Sequence, residues 1–343
     1  MRTRRLIVAM AVGIVCLPVT NEAIADETNQ EILEKLKERV TLSGAIEVEA
    51  SWSEDFEGVS DSDIALATAE IGLEARIVEW ATGTLALEWD DEENEITVDE
   101  AFITLGDTEK IPLLIKAGRF YIPFGVFESN AITDPLTKEA FETREDALMI
   151  GYKLGALEAG AYVFNGDTNE GGGDDVIEHC GAQMNYSFEN DAISINTHLG
   201  YLSSIMDSDT LGEVADLEAD YVAGVVAQAS VTIVGIGLSG EYITAIDDFE
   251  PADHPKSKPA SYHVEAGYSF EFGLPLNLGL SYSETKDVGG ILPENRIAAF
   301  FGVEIAEGLS ATVEYCHDID YEEIDGGTGG DADTVTLQLA YEF

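Results

Sequence analysis

The sequence predicts an all-β fold: a transmembrane, antiparallel, up-and-down β-barrel of about sixteen strands. Three observations carry that prediction. The chain ends on an unbroken alternation of apolar and polar residues, Val335-Thr336-Leu337-Gln338-Leu339-Ala340-Tyr341-Glu342-Phe343. Many similar segments precede it, and the connections between them alternate between short and long.

The N-terminus reads as an export signal. Arg2, Arg4 and Arg5 precede an apolar run from Leu6 to Val19 and then Ala23-Ile24-Ala25, a small-x-small cleavage signal. Residues 1–25 are the expected signal peptide, with mature protein starting near Asp26. The run is shorter than the ~20 apolar residues a membrane helix needs. Cys16 would be the lipidated residue of a lipoprotein, but Val15 before it is bulkier than the small residue such processing favours. Residues 26–39 read as a periplasmic lead-in, with Ile32, Leu33, Leu36 and Val40 at helical spacing behind a cap at Thr28 or Asn29. At about three turns such a helix is marginal alone. It is either a simple lead-in to the first strand, an entrant into the pore, or a contact with copies of itself.

From 40 to 343 alternation marks strands near 40–52, 63–79, 82–90, 96–106, 111–120, 145–154, 156–165 and 176–188. Eight more follow near 192–202, 221–233, 235–246, 261–272, 274–285, 295–305, 308–318 and 332–343. Connections at Ala81-Thr82, Gly155, Glu189-Asn190-Asp191, Val234, Gly273-Leu274-Pro275 and Glu307-Gly308 are short. Their alternates, at 53–62, 166–175, 203–220, 247–260 and 319–331, are long, acidic and Gly-rich. Short periplasmic turns alternating with long external loops are what a barrel requires, and a soluble sandwich has no reason to sort loop length by parity. An even count puts both ends on the periplasmic side, and barrels of ~16 to 18 strands leave an aqueous channel.

A barrel in lipid turns apolar groups outward and polar groups into its lumen. In the first strand Leu42, Ile46, Val48 and Trp52 share one face, and Ser43, Glu47, Glu49 and Ser51 the other. Tyr262, Val264, Ala266, Tyr268 and Phe270 likewise oppose His263, Glu265, Gly267, Ser269 and Glu271. Trp52, Trp80, Trp89, Tyr186, Phe188, Phe270, Phe272, Tyr341 and Phe343 lie near strand ends, where interfacial girdles form. The alternative for these rings is packing within a soluble sheet.

The chain carries 17 Lys+Arg against 67 Asp+Glu, a formal charge of −50. Removing the three Arg and one Glu of the signal segment leaves 14 against 66, a net of −52. Nucleic acid and other polyanions are not expected as partners, because binding them draws on clustered Lys and Arg. One reading of the acidity is a cation-favouring pore, with Glu47, Glu49, Glu70, Glu74, Glu88, Glu265, Glu304 and Glu314 turned inward. The other is solubility and loop chemistry. The clusters at 90–93, 174–175 and 318–333 have the oxygen chemistry for Ca²⁺ or Mg²⁺, but none has EF-hand spacing, and solvated loop surface is the simpler reading.

The longest connection, 120–144, is also the most aromatic, and the stretch from Ala117 to Glu145 that contains it holds scarce positive charge in Arg119, Lys138 and Arg144. Folded into the lumen, it would narrow the pore and set cations against an acidic wall; outside, it would be a lid or a subunit contact. Arg119, Tyr121, Phe124, Lys138 and Arg144 are the constriction candidates, with Glu47, Glu49, Glu70, Glu74 and Glu265 facing them. The run Gly118-Arg119-Phe120-Tyr121-Ile122-Pro123-Phe124-Gly125, with Glu128-Ser129-Asn130, Thr133-Asp134-Pro135-Leu136 and Glu142-Thr143-Arg144-Glu145, resembles the LbtU-type siderophore porin family. The resemblance implies an outer-membrane barrel that admits ferric siderophore or a related solute without a plug domain. It also implies that any selective contact comes from Arg119, Arg144, Tyr121 and Phe124.

An enzymatic barrel would need a nucleophile with a positioned His. Around His179, His198, His254, His263 and His317 no Ser-His-Asp pattern is recognisable, so no catalysis, cofactor or metal site is expected. Cys180 is expected on a lipid face, and it lies too far along the barrel order from Cys316 for a disulfide. The expected partners are outer-membrane lipid and small solutes or ferric siderophore, with monomer and homo-oligomer both open.

Overall fold

A computed structural model describes residues 39–343 apart from 91–94, 107–109, 167–175, 215–220, 249–257 and 289–290. The signal peptide, Cys16 and the lead-in helix, save Arg39, lie outside the described residues. Sixteen strands follow one another: β1 (Val40–Glu54), β2 (Ser60–Val78), β3 (Ala81–Asp90), β4 (Glu95–Gly106), β5 (Leu113–Tyr121), β6 (Arg144–Leu154), β7 (Leu157–Phe164) and β8 (His179–Glu189). They continue as β9 (Ile193–Leu202), β10 (Gly224–Ile233), β11 (Ile236–Ala245), β12 (Ala260–Phe272), β13 (Leu274–Lys286), β14 (Asn295–Ala306), β15 (Leu309–Ile319) and β16 (Asp331–Glu342). Each strand is hydrogen-bonded to its sequence neighbours, and β16 returns to β1 from Ala45↔Glu342 to Glu54↔Asp333, closing the barrel. Closure leaves no free sheet edge, which hydrocarbon would not tolerate. Among the described residues no helix is long and apolar enough to cross a membrane; the strands are the crossing elements.

The two faces follow the alternation in sequence. Ile46, Val48, Trp52, Val264, Tyr268, Leu337, Leu339 and Tyr341 are exposed on the outside, while Glu241, His263, Glu265, Ser283 and Glu314 are buried on the inside. Cys180 is exposed and Cys316 buried, both as free thiols. One rim carries tight turns. Between β10 and β11, Val234 (φ 50) and Gly235 (φ 79) both take positive φ, the geometry of a two-residue hairpin whose twist matches its strands. The opposite rim carries the long connections, with one correction. β1 and β2 extend into the expected loop at 53–62, leaving only residues 55–59 between them. Asp55 ties that turn, accepting hydrogen bonds from the Glu57 and Val59 amides.

Inside, the connection from β5 to β6 folds through the lumen and carries a short helix, α1 (Leu136–Phe141). Leu136, Thr137, Ala140 and Phe141 of α1 are buried, packed towards β11, β12 and β13. The connection after β9 bears α2 (Asp209–Val214), which meets α1. Phe120, Ile122, Phe124, Phe141, Met149, Tyr162 and Phe164 form one apolar cluster with Leu202, Ile205 and Met206. This barrel therefore has a packed core, but only over part of its cross-section.

Candidate functional site: an asymmetric lumen

The loop is held by carboxylates from the barrel wall. Glu241 of β11 accepts the backbone N–H of Val126 at 2.7 Å and of Phe127 at 3.2 Å. Glu265 of β12 accepts from the Ser129 hydroxyl at 2.8 Å and from the Asn130 amide N–H and side chain. Glu314 of β15 accepts from the Ile132 N–H and from both the N–H and hydroxyl of Thr133. Each carboxylate thus takes at least two loop donors, and charge-assisted bonds of this kind are about twice as strong as neutral ones. His198 of β9 adds a contact to the Phe124 carbonyl at 2.8 Å.

The last anchor is cationic. Arg296 of β14 donates to both oxygens of Asp318, to the Asp134 carbonyl at 2.9 Å and to Glu139. Burial pushes the Glu139 carboxyl above its ordinary value although Arg296 faces it. Lys138 pairs with Asp134 at 2.9 Å. Burial alone would lower its ammonium, but the Asp134 hydrogen bond and charge outweigh it and leave the group above its ordinary value.

These contacts pin the loop to the β9–β15 half of the lumen. The wall of β1–β4 remains, and its inward positions carry Glu47, Glu49, Glu70, Glu74, Glu88 and Glu100, half-buried or exposed. Glu70 and Glu88 are direct cross-strand partners, an arrangement that repels unless cations intervene. Glu47 accepts from Thr68 at 2.6 Å and Glu49 from Gln338 at 2.9 Å. Lys116 of β5 lies at the border of this wall, 3.8 Å from Glu100 and stacked over the rings of Phe102 and Phe120.

Several constriction candidates sit elsewhere. Phe124, near the start of the loop, is fully buried in the apolar core and does not face the open path. Arg119 shares the face of Ala117, whose cross-strand partners Ile103 and Leu148 are exposed on the barrel's outside. It pairs there with Asp146 at 3.1 Å. Tyr121 follows at the same parity, and with Arg144 it binds Asp99, at 2.8 and 2.6 Å. A bulge in β4 makes Asp99 an additional residue in the ladder, and such a residue re-aims its side chain. Glu265 and Glu314 point inward and are buried there as loop anchors. Glu304 is exposed near the rim of short turns. Glu241, Arg296, Lys116 and Glu100 complete the arrangement; each stands at an inward alternation position, the only signal in the sequence that could have found them.

Among the described residues no group of three or more His, Cys, Asp or Glu has metal-site geometry. The acidic stretch after β15 is tied internally, with Asp320 accepting from the Thr328 N–H and hydroxyl.

No family model matches the chain. A protein of Coxiella burnetii described as a UPF0422 protein is 29% identical over 301 residues, covering 82% of this chain and 65% of its own length. A UPF0422 protein of Legionella pneumophila is 26% identical over 356 residues, covering 89% of this chain and 66% of its own. The chain spans just under two thirds of the length of these curated relatives. Solved structures of similar fold include an anion-selective porin from Comamonas acidovorans, with TM-score 0.63, 14% identity and coverage of 89% of this chain and 99% of that one. OprB of Pseudomonas putida aligns at TM-score 0.63 and 13% identity, over 92% and 96% of the two chains. The outer membrane channel DcaP of Acinetobacter baumannii aligns at 0.62 and 13%, over 89% and 97%. At these identities the likeness is one of fold. The chain is similar in sequence to UPF0422 proteins, and its closed sixteen-strand barrel is that of bacterial outer-membrane porins.

Proposed function

We propose that the barrel is a passive diffusion channel whose conducting path runs along the β1–β4 wall and favours cations. One observation supports this above the others. In the β9–β15 half Glu241, Glu265 and Glu314 are taken up as loop anchors, whereas the carboxylates of β1–β4 face the lumen, with Glu70 opposite Glu88. A one-signed wall in a narrow, partly desolvated passage concentrates counter-ions and excludes co-ions. Of the pore candidates, this reading keeps Glu47, Glu49, Glu70 and Glu74 as selectivity groups and gives Lys138 to the loop. It assigns Arg119 to the outer surface, and Tyr121 and Arg144 to the partly buried cluster around Asp99.

The test is reversal potential across a planar bilayer under a KCl gradient. Wild type should give a potential of cation-selective sign. Replacing Glu47, Glu49, Glu70 and Glu74 together by Gln should move it most of the way to zero, while E241Q should leave its sign unchanged. Anion selectivity of the wild type, or indifference to the fourfold change, would overturn the reading.

Ferric siderophore passage is the finer reading, and it rests on the family resemblance of residues 117–152. Adding ferric siderophore to the same bilayer separates the two. Concentration-dependent block of the current supports a siderophore-biased channel, and unaltered current supports a general cation-preferring one.

A further inference from the structure

Below the loop, towards the rim of short turns, the β9–β14 wall holds a cavity of about 270 Å³. Its walls differ in chemistry from the acidic path on the opposite side. Asn196, Ser230, Thr232, Ser239, Ser269 and Asn277 line it, all at inward positions of five successive strands. No Lys, Arg or His is among the lining residues. Glu265 is already occupied by Ser129 and Asn130 of the loop, which leaves Glu128 as the exposed carboxylate at the roof.

The recess has a structural cause. Gly237 of β11 and Gly267 of β12 are direct cross-strand partners. A Cβ at Gly237 would meet nothing nearer than 3.8 Å, and one at Gly267 nothing nearer than 3.6 Å. Neither position is glycine because a neighbour crowds it, so the pair holds open space that any larger residue would fill. Beside them Phe300 lies over Gly279, where a Cβ would come within 2.4 Å of its ring, and it gives the cavity one apolar wall.

We infer that this recess is a binding subsite for a neutral polyhydroxylated solute of about one sugar ring. Hydroxyls and amides both donate and accept, so clustered Ser, Thr and Asn side chains fixed on strands match vicinal hydroxyls whichever way each is oriented. The Phe300 ring offers a face to the C–H side of such a ring. An anion would find no cation here and would meet Glu128 at the roof. The inference rests on the barrel being an open channel, but it concerns a different wall from the one that selects ions.

The experiment uses the full chain reconstituted in liposomes and bilayers, with glucose, glucosamine and gluconate as probes. Glucose and glucosamine fluxes should saturate with concentration, and gluconate should enter roughly tenfold more slowly, equal to about 1.4 kcal/mol of discrimination. Gly267→Leu should abolish saturation for glucose, and the shape-conserving pair S230A/T232V should weaken half-saturation several-fold. Both variants should keep the KCl reversal potential of the wild type. Linear glucose flux in the wild type, or saturation unaffected by both variants, would overturn the subsite while leaving the ion channel intact. Absence of any current would instead remove the channel reading and this one with it.

Discussion

Glu314 shows how much one residue depends on its partner in space. In sequence it is an acid in an alternating strand, but in the barrel it is 1% exposed and accepts three hydrogen bonds from Ile132 and Thr133. Glu314→Ala would leave two part-buried loop amides without their acceptor, at about 1 kcal/mol each. The expected outcome is a lower barrel melting temperature together with larger and noisier single-channel conductance. Melting without a conductance change would mean the loop does not bound the path. Val234 offers a change in the opposite direction. A β-branched residue at φ 50 is strained, and Val234→Asn should stabilise the barrel by about 0.5–1 kcal/mol, read as a rise in its denaturant midpoint. Gly118, in the motif that marks the end of β5, sits at φ 132 with the Ala101 carbonyl 2.2 Å from where a Cβ would lie. Gly118→Ala should therefore slow or prevent barrel closure, visible as loss of the compact, heat-modifiable form on a gel.

The loop is the element on which the lumen turns, and it is secured at both ends of its path. Ile122 donates to the Thr143 carbonyl at its base, and Arg296 gathers Asp134, Glu139 and Asp318 at its far reach. Removing one member of a buried ionic network costs about 3–5 kcal/mol, because the partners stay charged and unpaired. Arg296→Ala should hence free the loop more than loss of Lys138, whose pair with Asp134 is partly solvated and worth at most ~1 kcal/mol. Susceptibility of the loop to an added protease would rank the two variants, and equal susceptibility would contradict the assigned hierarchy. The sixteen strands themselves were legible, since hydrogen-bonded closure and a two-faced environment force a period of two on every crossing segment. The connection after β1 was not, because polar residues at 53–62 read equally as a loop or as strand ends standing above the membrane.

At the scale of the molecule, charge is distributed unevenly around the channel rather than spread over it. If the β1–β4 carboxylates set selectivity through their field, screening must weaken it. The Debye length falls from ≈ 10 Å at 0.1 M salt to ≈ 3 Å at 1 M, so the cation-to-anion permeability ratio should drop across that range. A ratio independent of salt would point to a single tight binding site. Export makes a second prediction: the outer-membrane form should begin near Asp26, as intact mass would show, and a start at Cys16 bearing lipid would replace that expectation.

Alternation along the chain is enough to specify a closed barrel of about sixteen strands and the inward positions of its regular strands, because the boundary between lipid and lumen imposes that pattern locally. It could not determine what an inward residue meets there. Glu265 and Glu74 are indistinguishable along the chain, yet one anchors a loop and the other faces the lumen. Arg119 and Arg144 read as pore cations until strand register turns Arg119 outward beside Asp146 and the β4 bulge pairs Arg144 with buried Asp99. Such roles emerge on folding, since the path of the β5–β6 loop brings together residues more than a hundred positions apart.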